Sequence, residues 1–242
     1  MKIAGMQRFT LTDYPGELAC VVFLCGCNMR CPWCHNPELV INNEIPGMPE
    51  EEVLNFLESR KGKLTGVVIS GGEPTLDEDG LYKFIVKIKE MGFKVKLDTN
   101  GTNPLCVHIL LNDKLLDSVG LDFKCTKYEY KWILQNPGSC FGFSDTLRYL
   151  IDSGVDLEVR TTVVKNYFGL GEMINMHEYL HDAGVQRWVI QPFRLPEKGV
   201  LDKSLLSGYI DKTTLDGWRA YIMSDSSGCG KFPLIDLESR YH

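Results

Sequence analysis

Short apolar runs rich in β-branched residues alternate along the chain with segments whose apolar positions recur every three to four residues. The runs predict strands at 18–24, 66–70, 93–98, 118–124, 155–164 and 187–192. Several are almost continuously apolar, as parallel strands buried on both faces require. Between them the longer period predicts helices at 50–60, 81–91, 144–153 and 172–183. Leu81, Phe84, Ile85 and Ile88 make one apolar stripe, and Leu147, Leu150 and Ile151 make another. Pro49 and three glutamates suit the start of the first of these helices, and Ser144 is a candidate N-cap for the third.

Three helices share one ending. Gly92, Gly154 and Gly184 each fall just after a helical segment and just before a strand. Glycine takes the left-handed conformation that closes a helix at little cost. Such punctuation marks successive α/β units, whose parallel strands need helical crossovers. About six units fit, whereas a closed eight-unit barrel typically needs ~250 residues. The expected fold is therefore α/β, either an incomplete (β/α)6 partial TIM-type barrel or a doubly wound sheet. With no low-complexity linker, residues 1–242 read as one domain. Its periodic core spans about 1–195, and 196–242 form a C-terminal extension.

Composition narrows the class. Apolar residues make up 44% and charged residues 24% of the 242, ordinary globular values. The formal charge of −6 argues against nucleic-acid binding through bulk charge. No apolar run reaches the roughly 18 residues of a membrane span, and the first residues lack a signal-peptide core, so a cytoplasmic protein is expected.

Five of the nine cysteines, Cys20, Cys25, Cys27, Cys31 and Cys34, crowd one short segment. The odd count and the chain's size do not suit a disulfide scaffold. Cys106, Cys125 and Cys140 read as small buried side chains, and Cys229 has no assigned role. Cys27, Cys31 and Cys34 form a C-x3-C-x2-C run directly after the first predicted strand, hence on a loop beyond a strand's carboxyl end, where α/β folds collect ligands. Soft thiolates select zinc or iron–sulfur. A fully protein-ligated [4Fe–4S] cluster takes four cysteines, so three would leave one iron open. The competing reading is a structural zinc with His35 or Cys25 as fourth ligand, which would make the protein a zinc-stabilised binding module. That reading lacks the second paired half usual in zinc knuckles.

Further segments fall at predicted strand ends. Ser70-Gly71-Gly72-Glu73-Pro74 closes the second, Leu97-Asp98-Thr99-Asn100-Gly101 the third, and Asp122-Phe123-Lys124 the fourth, while Arg160 lies in the fifth. With the cysteine loop, these resemble the radical S-adenosylmethionine superfamily. Asp13-Tyr14-Pro15-Gly16 and Cys34-His35-Asn36-Pro37-Glu38 resemble its glycyl-radical-enzyme activases. Residues 1–39 are most similar to activators of anaerobic ribonucleoside-triphosphate reductases, relatives of the pyruvate formate-lyase activating enzymes.

The resemblance implies a [4Fe–4S] cluster held by Cys27, Cys31 and Cys34, with S-adenosylmethionine on the fourth iron. It places Trp33, His35 and Asn36 beside the adenine side of the cluster loop, and Gly71, Gly72 and Glu73 near the methionine amino group. Asp98, Asp122 and Lys124 would lie near the carboxylate and ribose, with a monovalent cation between the aspartates. Two neighbouring carboxylates do need an intervening positive charge. Arg160 would pair with the carboxylate or ribose. Arg194 stands where related enzymes carry a ribose-contacting His, and Asp13 would meet the glycine loop of the partner.

The implied activity is reductive cleavage. Flavodoxin or ferredoxin supplies an electron, S-adenosylmethionine splits to methionine and a 5′-deoxyadenosyl radical, and the radical takes a glycine Cα hydrogen from a partner enzyme. A radical enzyme acting on a small molecule or peptide without leaving a glycyl radical is the alternative.

Overall fold

The computed structural model describes residues 1–41, 45–126, 142–165, 167–197, 199–203, 205, 209–225 and 234–237. Among these residues, eight strands form one sheet in strictly sequential order. β1 (Ile3–Thr10) pairs antiparallel with β2 (Ala19–Leu24). Each later strand is parallel to its predecessor: β3 (Gly66–Gly71), β4 (Lys94–Thr99), β5 (Ser118–Asp122), β6 (Asp156–Val163), β7 (Arg187–Pro192) and β8 (Leu234–Leu237). A doubly wound sheet reverses its strand order at a switch point. This sheet never reverses, and its first and last strands are not joined, so the fold is the incomplete barrel.

The six predicted strands are β2 to β7. β1 and β8 lie outside the prediction. β1 is an edge strand with a bulged register and three consecutive exposed residues, so it lacks a clean apolar pattern. β8 has four residues and lies within the tail beyond 195, which thus contributes a strand to the same sheet.

Helices α1 (Pro37–Ile41), α2 (Glu50–Glu58), α3 (Glu78–Glu90), α4 (Pro104–Asn112), α5 (Gly142–Ser153), α6 (Leu170–Asp182) and α7 (Lys212–Asp225) fill the crossovers among the described residues. The α3 stripe is buried as its period demands. Asn103 caps α4 by accepting from the Cys106 N–H at 3.3 Å, with Pro104 in the first turn. Ser144 is not the cap of α5, because that helix already starts at Gly142, and its hydroxyl instead meets the Tyr179 hydroxyl at 3.0 Å. Gly92, Gly154 and Gly184 all have φ between 67° and 90°, the left-handed closure expected of them.

Strand alternation divides the sheet into two faces. Cys20, Val22, Val67, Ile69, Val95, Leu97, Val119 and Leu121 join the large core that packs on the helices. The opposite face, inside the partial barrel, carries Ala19, Val21 and Val68 under Tyr14. Lys96, Asp98, Gly120, Asp122 and Arg160 share the parity of that inner face. Cys106 and Cys125 are buried as expected, while Cys140 and Cys229 lie outside the described residues. No helix among the described residues is long and apolar enough to cross a membrane.

Candidate functional site

The cysteine loop leaves the carboxyl end of β2 and is pinned at both ends. The Cys25 N–H donates to the Lys2 carbonyl and the Gly26 N–H to the Leu39 carbonyl, both at 2.9 Å. Within the loop, the Cys34 N–H donates to the Cys31 carbonyl at 3.0 Å, and the Met29 N–H reaches Cys27 Sγ at 3.4 Å. The Arg30 guanidinium ties the Cys27 and Met29 carbonyls at 2.7 and 2.8 Å.

Gly71 and Gly72 make room for this loop. A Cβ on Gly72 would sit 1.8 Å from the Gly26 carbonyl oxygen, and one on Gly71, at φ +122°, 2.3 Å from the Leu24 nitrogen. The Glu73 N–H then donates to the Gly26 carbonyl at 2.7 Å. The close approach at this turn is thus to the cysteine loop itself.

The Glu73 side chain faces the end of β4. Its carboxylate accepts from the Thr75 N–H (3.1 Å), the Thr75 and Thr99 hydroxyls (2.6 and 2.7 Å) and the Asn100 N–H (2.7 Å). Burial raises its pKa despite these bonds. A second tie runs between loops: Asn28 Nδ2 donates to the Thr102 hydroxyl at 2.7 Å, and Asn28 Oδ1 accepts from Asn100 Nδ2 at 2.9 Å.

On the inner face the charged side chains form a ladder. Lys96 Nζ lies 2.8 Å from Asp98 Oδ1, and Arg160 Nη1 lies 3.2 Å from the same oxygen. Arg160 Nε and Nη2 donate to Asp122 Oδ1 at 3.1 and 3.0 Å, and Lys124 Nζ reaches Asp122 Oδ2 at 3.2 Å. Arg160 pairs in register with Asp122, yet reaches Asp98 across Gly120, where a Cβ would come 2.8 Å from the guanidinium carbon. Between the two aspartates lies the partly buried Arg160 guanidinium. Burial disfavours ionised Asp98, but Arg160 and Lys96 hold its pKa below the ordinary value. Lys124 and Arg160 do the same for Asp122.

The Lys124 ammonium at the end of the ladder acts electrostatically on the cysteines. Burial pushes the thiols of Cys27 and Cys31 up to about 11 and about 12, with the Lys124 ammonium opposing, and Cys34 shifts the same way. Burial works against the Lys124 charge, yet Asp122 and then Cys31 raise its pKa. All three thiols are free. Among the described residues, no three His, Cys, Asp or Glu side chains converge as ligands of one metal ion. Three thiols on one loop, near the Lys124 ammonium, are a donor set that would hold three irons of a [4Fe–4S] cluster and leave one corner open.

Other expected residues fall around this centre. Trp33 is buried against Tyr167 (4.9 Å) and Phe168 (5.9 Å), so its ring packs into the core. His35 Nε2 bonds the Arg194 carbonyl at 2.9 Å, which joins the cysteine loop to the end of β7, while the Arg194 side chain is exposed. The Asn36 carbonyl accepts from the Leu39 N–H at 3.1 Å, and its backbone also bonds the Cys34 thiol. Asp13 lies in the β1–β2 turn at the amino end of β2, bonded to the Thr10 hydroxyl. Sequence reasoning missed Asn28, Lys96 and Gly120. A glycine inside a strand signals close approach, and a lysine between valine and leucine signals a polar inner face. Asn28 carries no such signal.

The chain is similar to several known proteins. The chain is 37% identical over 195 residues to a candidate glycyl-radical enzyme activating enzyme of Methanocaldococcus jannaschii, covering 79% of each protein. It is 31% identical over 218 residues to the pyruvate formate-lyase-activating enzyme of Streptococcus mutans, covering 79% of this chain and 78% of that one. Among solved structures, Streptococcus suis SuiB superposes with a TM-score of 0.70 at 14% identity, over 90% of this chain and 48% of SuiB, so this chain spans about half of that protein. The anSMEcpe structure with bound AdoMet superposes at 0.63 and 15% identity, over 88% and 61% of the two chains. Both likenesses concern the fold. The family profile described as the Radical SAM superfamily matches residues 21–188, which span the cysteine loop, the glycine turn and the whole charged ladder, and the chain belongs to that superfamily.

Proposed function

We propose that this protein is a glycyl-radical enzyme activase whose partner is an anaerobic ribonucleoside-triphosphate reductase, with flavodoxin or ferredoxin as electron donor. Members of the superfamily use a [4Fe–4S] cluster with S-adenosylmethionine, and together these supply a 5′-deoxyadenosyl radical able to take a glycine Cα hydrogen. One observation carries the reading. The three cysteines and the charged ladder that ends at Lys124 all lie within residues 21–188, which the superfamily profile matches, and the chain is 37% and 31% identical to two relatives named for activation.

In this reading Cys27, Cys31 and Cys34 hold three irons. The backbone at Gly72 and Glu73 faces the methionine amino group, and the Glu73 side chain fixes that turn by its four accepted bonds. Lys124 offers an ammonium to the methionine carboxylate beside the thiols, and Arg160 and the two aspartates set the polar wall for carboxylate and ribose. His35 and Arg194 close the adenine side through their mutual bond. Asp13 faces the incoming glycine loop. A primary carbon radical is unselective, so this fixed geometry and the exclusion of water govern which hydrogen is taken.

The test is anaerobic reconstitution with iron and sulfide, followed by dithionite and S-adenosylmethionine. The expected products are methionine and 5′-deoxyadenosine. With a reductase carrying α-deuterated glycine, deuterium should enter deoxyadenosine and a glycyl radical signal should appear. Turnover on a small substrate without that transfer would reject the activase assignment.

A further inference from the structure

Lys96 is buried to 1% exposure in the middle of β4. A buried ammonium is costly, and an apolar residue of similar volume commonly serves stability as well or better. Its Nζ divides its bonds between two parts of the chain. One goes to Asp98 Oδ1 at 2.8 Å, and the other, also 2.8 Å, to the main-chain carbonyl of Asp13. The Asp13 turn is otherwise held by the Thr10 hydroxyl, which accepts from the Asp13 N–H at 3.2 Å, and by Tyr14, whose ring lies against Gly66. Asp98 in turn shares the Arg160 guanidinium with Asp122. A single ammonium thus spans from the turn below the barrel to the ladder that runs through Arg160 to Lys124.

We infer that Lys96 is a positioning residue that couples occupancy of the nucleotide site to the order of the Asp13 turn, so that the surface offered to the partner's glycine loop forms when S-adenosylmethionine is bound. The inference rests on the functional reading above. A ligand carboxylate near Lys124 and Arg160 redistributes the bonds that Arg160 makes to Asp98. Lys96 is the next charge on Asp98, and its remaining bond holds the turn. A contact this local between two discrete elements is a physical basis for coupling.

The test is amide hydrogen exchange of residues 10–17 in the anaerobically reconstituted protein, with and without S-adenosylmethionine and with no partner present. In the wild type the nucleotide should slow exchange of this turn several-fold. In Lys96→Met that protection should vanish, and Lys96→Arg, which keeps charge and reach, should restore part of it. Iron content and circular dichroism report whether each variant is folded. If Lys96→Met does not fold, the wild-type measurement and Lys96→Arg still decide. An unresponsive turn in a wild-type protein that binds and cleaves S-adenosylmethionine overturns this inference alone. Equal protection in wild type and Lys96→Met overturns it as well. A reconstituted protein that does not bind the nucleotide overturns both this inference and the functional reading.

Discussion

Asn28 Nδ2 lies 2.7 Å from the Thr102 hydroxyl, joining the loop after β2 to the loop after β4. Asn28 Oδ1 accepts from Asn100, and Asn100 Oδ1 accepts from the Thr102 N–H and hydroxyl at 3.0 and 2.7 Å, so three side chains close a ring of hydrogen bonds. Because Asn28 is the residue after Cys27, the ring orients the first thiol. Second-layer partners of metal ligands commonly matter ~10–100-fold. Asn28→Ala should lower S-adenosylmethionine cleavage by about that factor, while thermal stability falls by only ~1 kcal/mol, the usual scale of a lost hydrogen bond. Steady-state deoxyadenosine formation beside a melting curve checks both halves.

In the proposed function the cysteines divide into ligands and bystanders. Cys27, Cys31 and Cys34 share one electrostatic neighbourhood with Lys124. The backbone of Cys25 instead anchors the loop through Lys2, and the order of the motif leaves its thiol outside the triad. Replacing any triad member by Ser should abolish the charge-transfer colour of the reconstituted protein and its cleavage of S-adenosylmethionine. Cys25→Ser should keep iron content and activity near wild type. Chelating the iron from wild-type protein should reproduce the triad phenotype, with activity returning on reconstitution. Iron and acid-labile sulfide assays on the four variants decide between this assignment and one that includes Cys25.

The fold was legible in the sequence because parallel strands buried on two faces leave nearly continuous apolar runs, and because Gly92, Gly154 and Gly184 punctuate the units. The two end strands escaped for opposite reasons. β1 has one exposed stretch and a bulge, and β8 is only four residues long. Within the site, the resemblance to the superfamily pointed to Glu73, Asp98, Asp122, Lys124 and Arg160. Their partners could not be read, because pairing across strands depends on register. Arg160 meets Asp98 only because the intervening strand offers Gly120. The packing of the Trp33 ring on Tyr167 and Phe168 was likewise not legible in the motif.

The two site glycines should fail differently. Alanine at Gly72 drives its Cβ into the Gly26 backbone at 1.8 Å, and neither backbone can yield without moving the cysteine loop. Overpacking of this kind costs ~1–3 kcal/mol or more, so Gly72→Ala should melt earlier and take up less iron. Alanine at Gly120 meets only side-chain ends, Asp98 Oδ1 at 2.5 Å and the Arg160 guanidinium at 2.8 Å. Those ends can swing aside. Gly120→Ala should therefore keep its cluster and stability but bind S-adenosylmethionine more weakly. Iron content, melting temperature and equilibrium binding of the nucleotide, measured on both proteins, separate the two behaviours.

Arg160 neutralises two carboxylates at once, which makes its loss dependent on pH. Its guanidinium is 13% exposed, and it contacts Asp98 at 3.2 Å and Asp122 at 3.0 Å. Removing one member of a buried pair typically costs ~3–5 kcal/mol, and the lower end applies here because Asp122 is 36% exposed and partly solvated. In the wild type both aspartates have pKa values held below the ordinary one. Such groups add stability that is complete above the unfolded pKa near ~3.9 and is lost as pH falls through the lower native values. In Arg160→Gln, burial of both carboxylates continues to raise their pKa values while one of the opposing charges is gone. The variant should then be far less stable than wild type at neutral pH, and the gap should narrow as pH falls through the carboxylate range and close only below the lowered wild-type values, where both carboxylates are protonated in either protein. Urea unfolding of the cluster-free proteins across that range measures the difference directly. A gap that stays constant with pH would mean that Arg160 contributes through packing of its stem and not through the charge it places between Asp98 and Asp122.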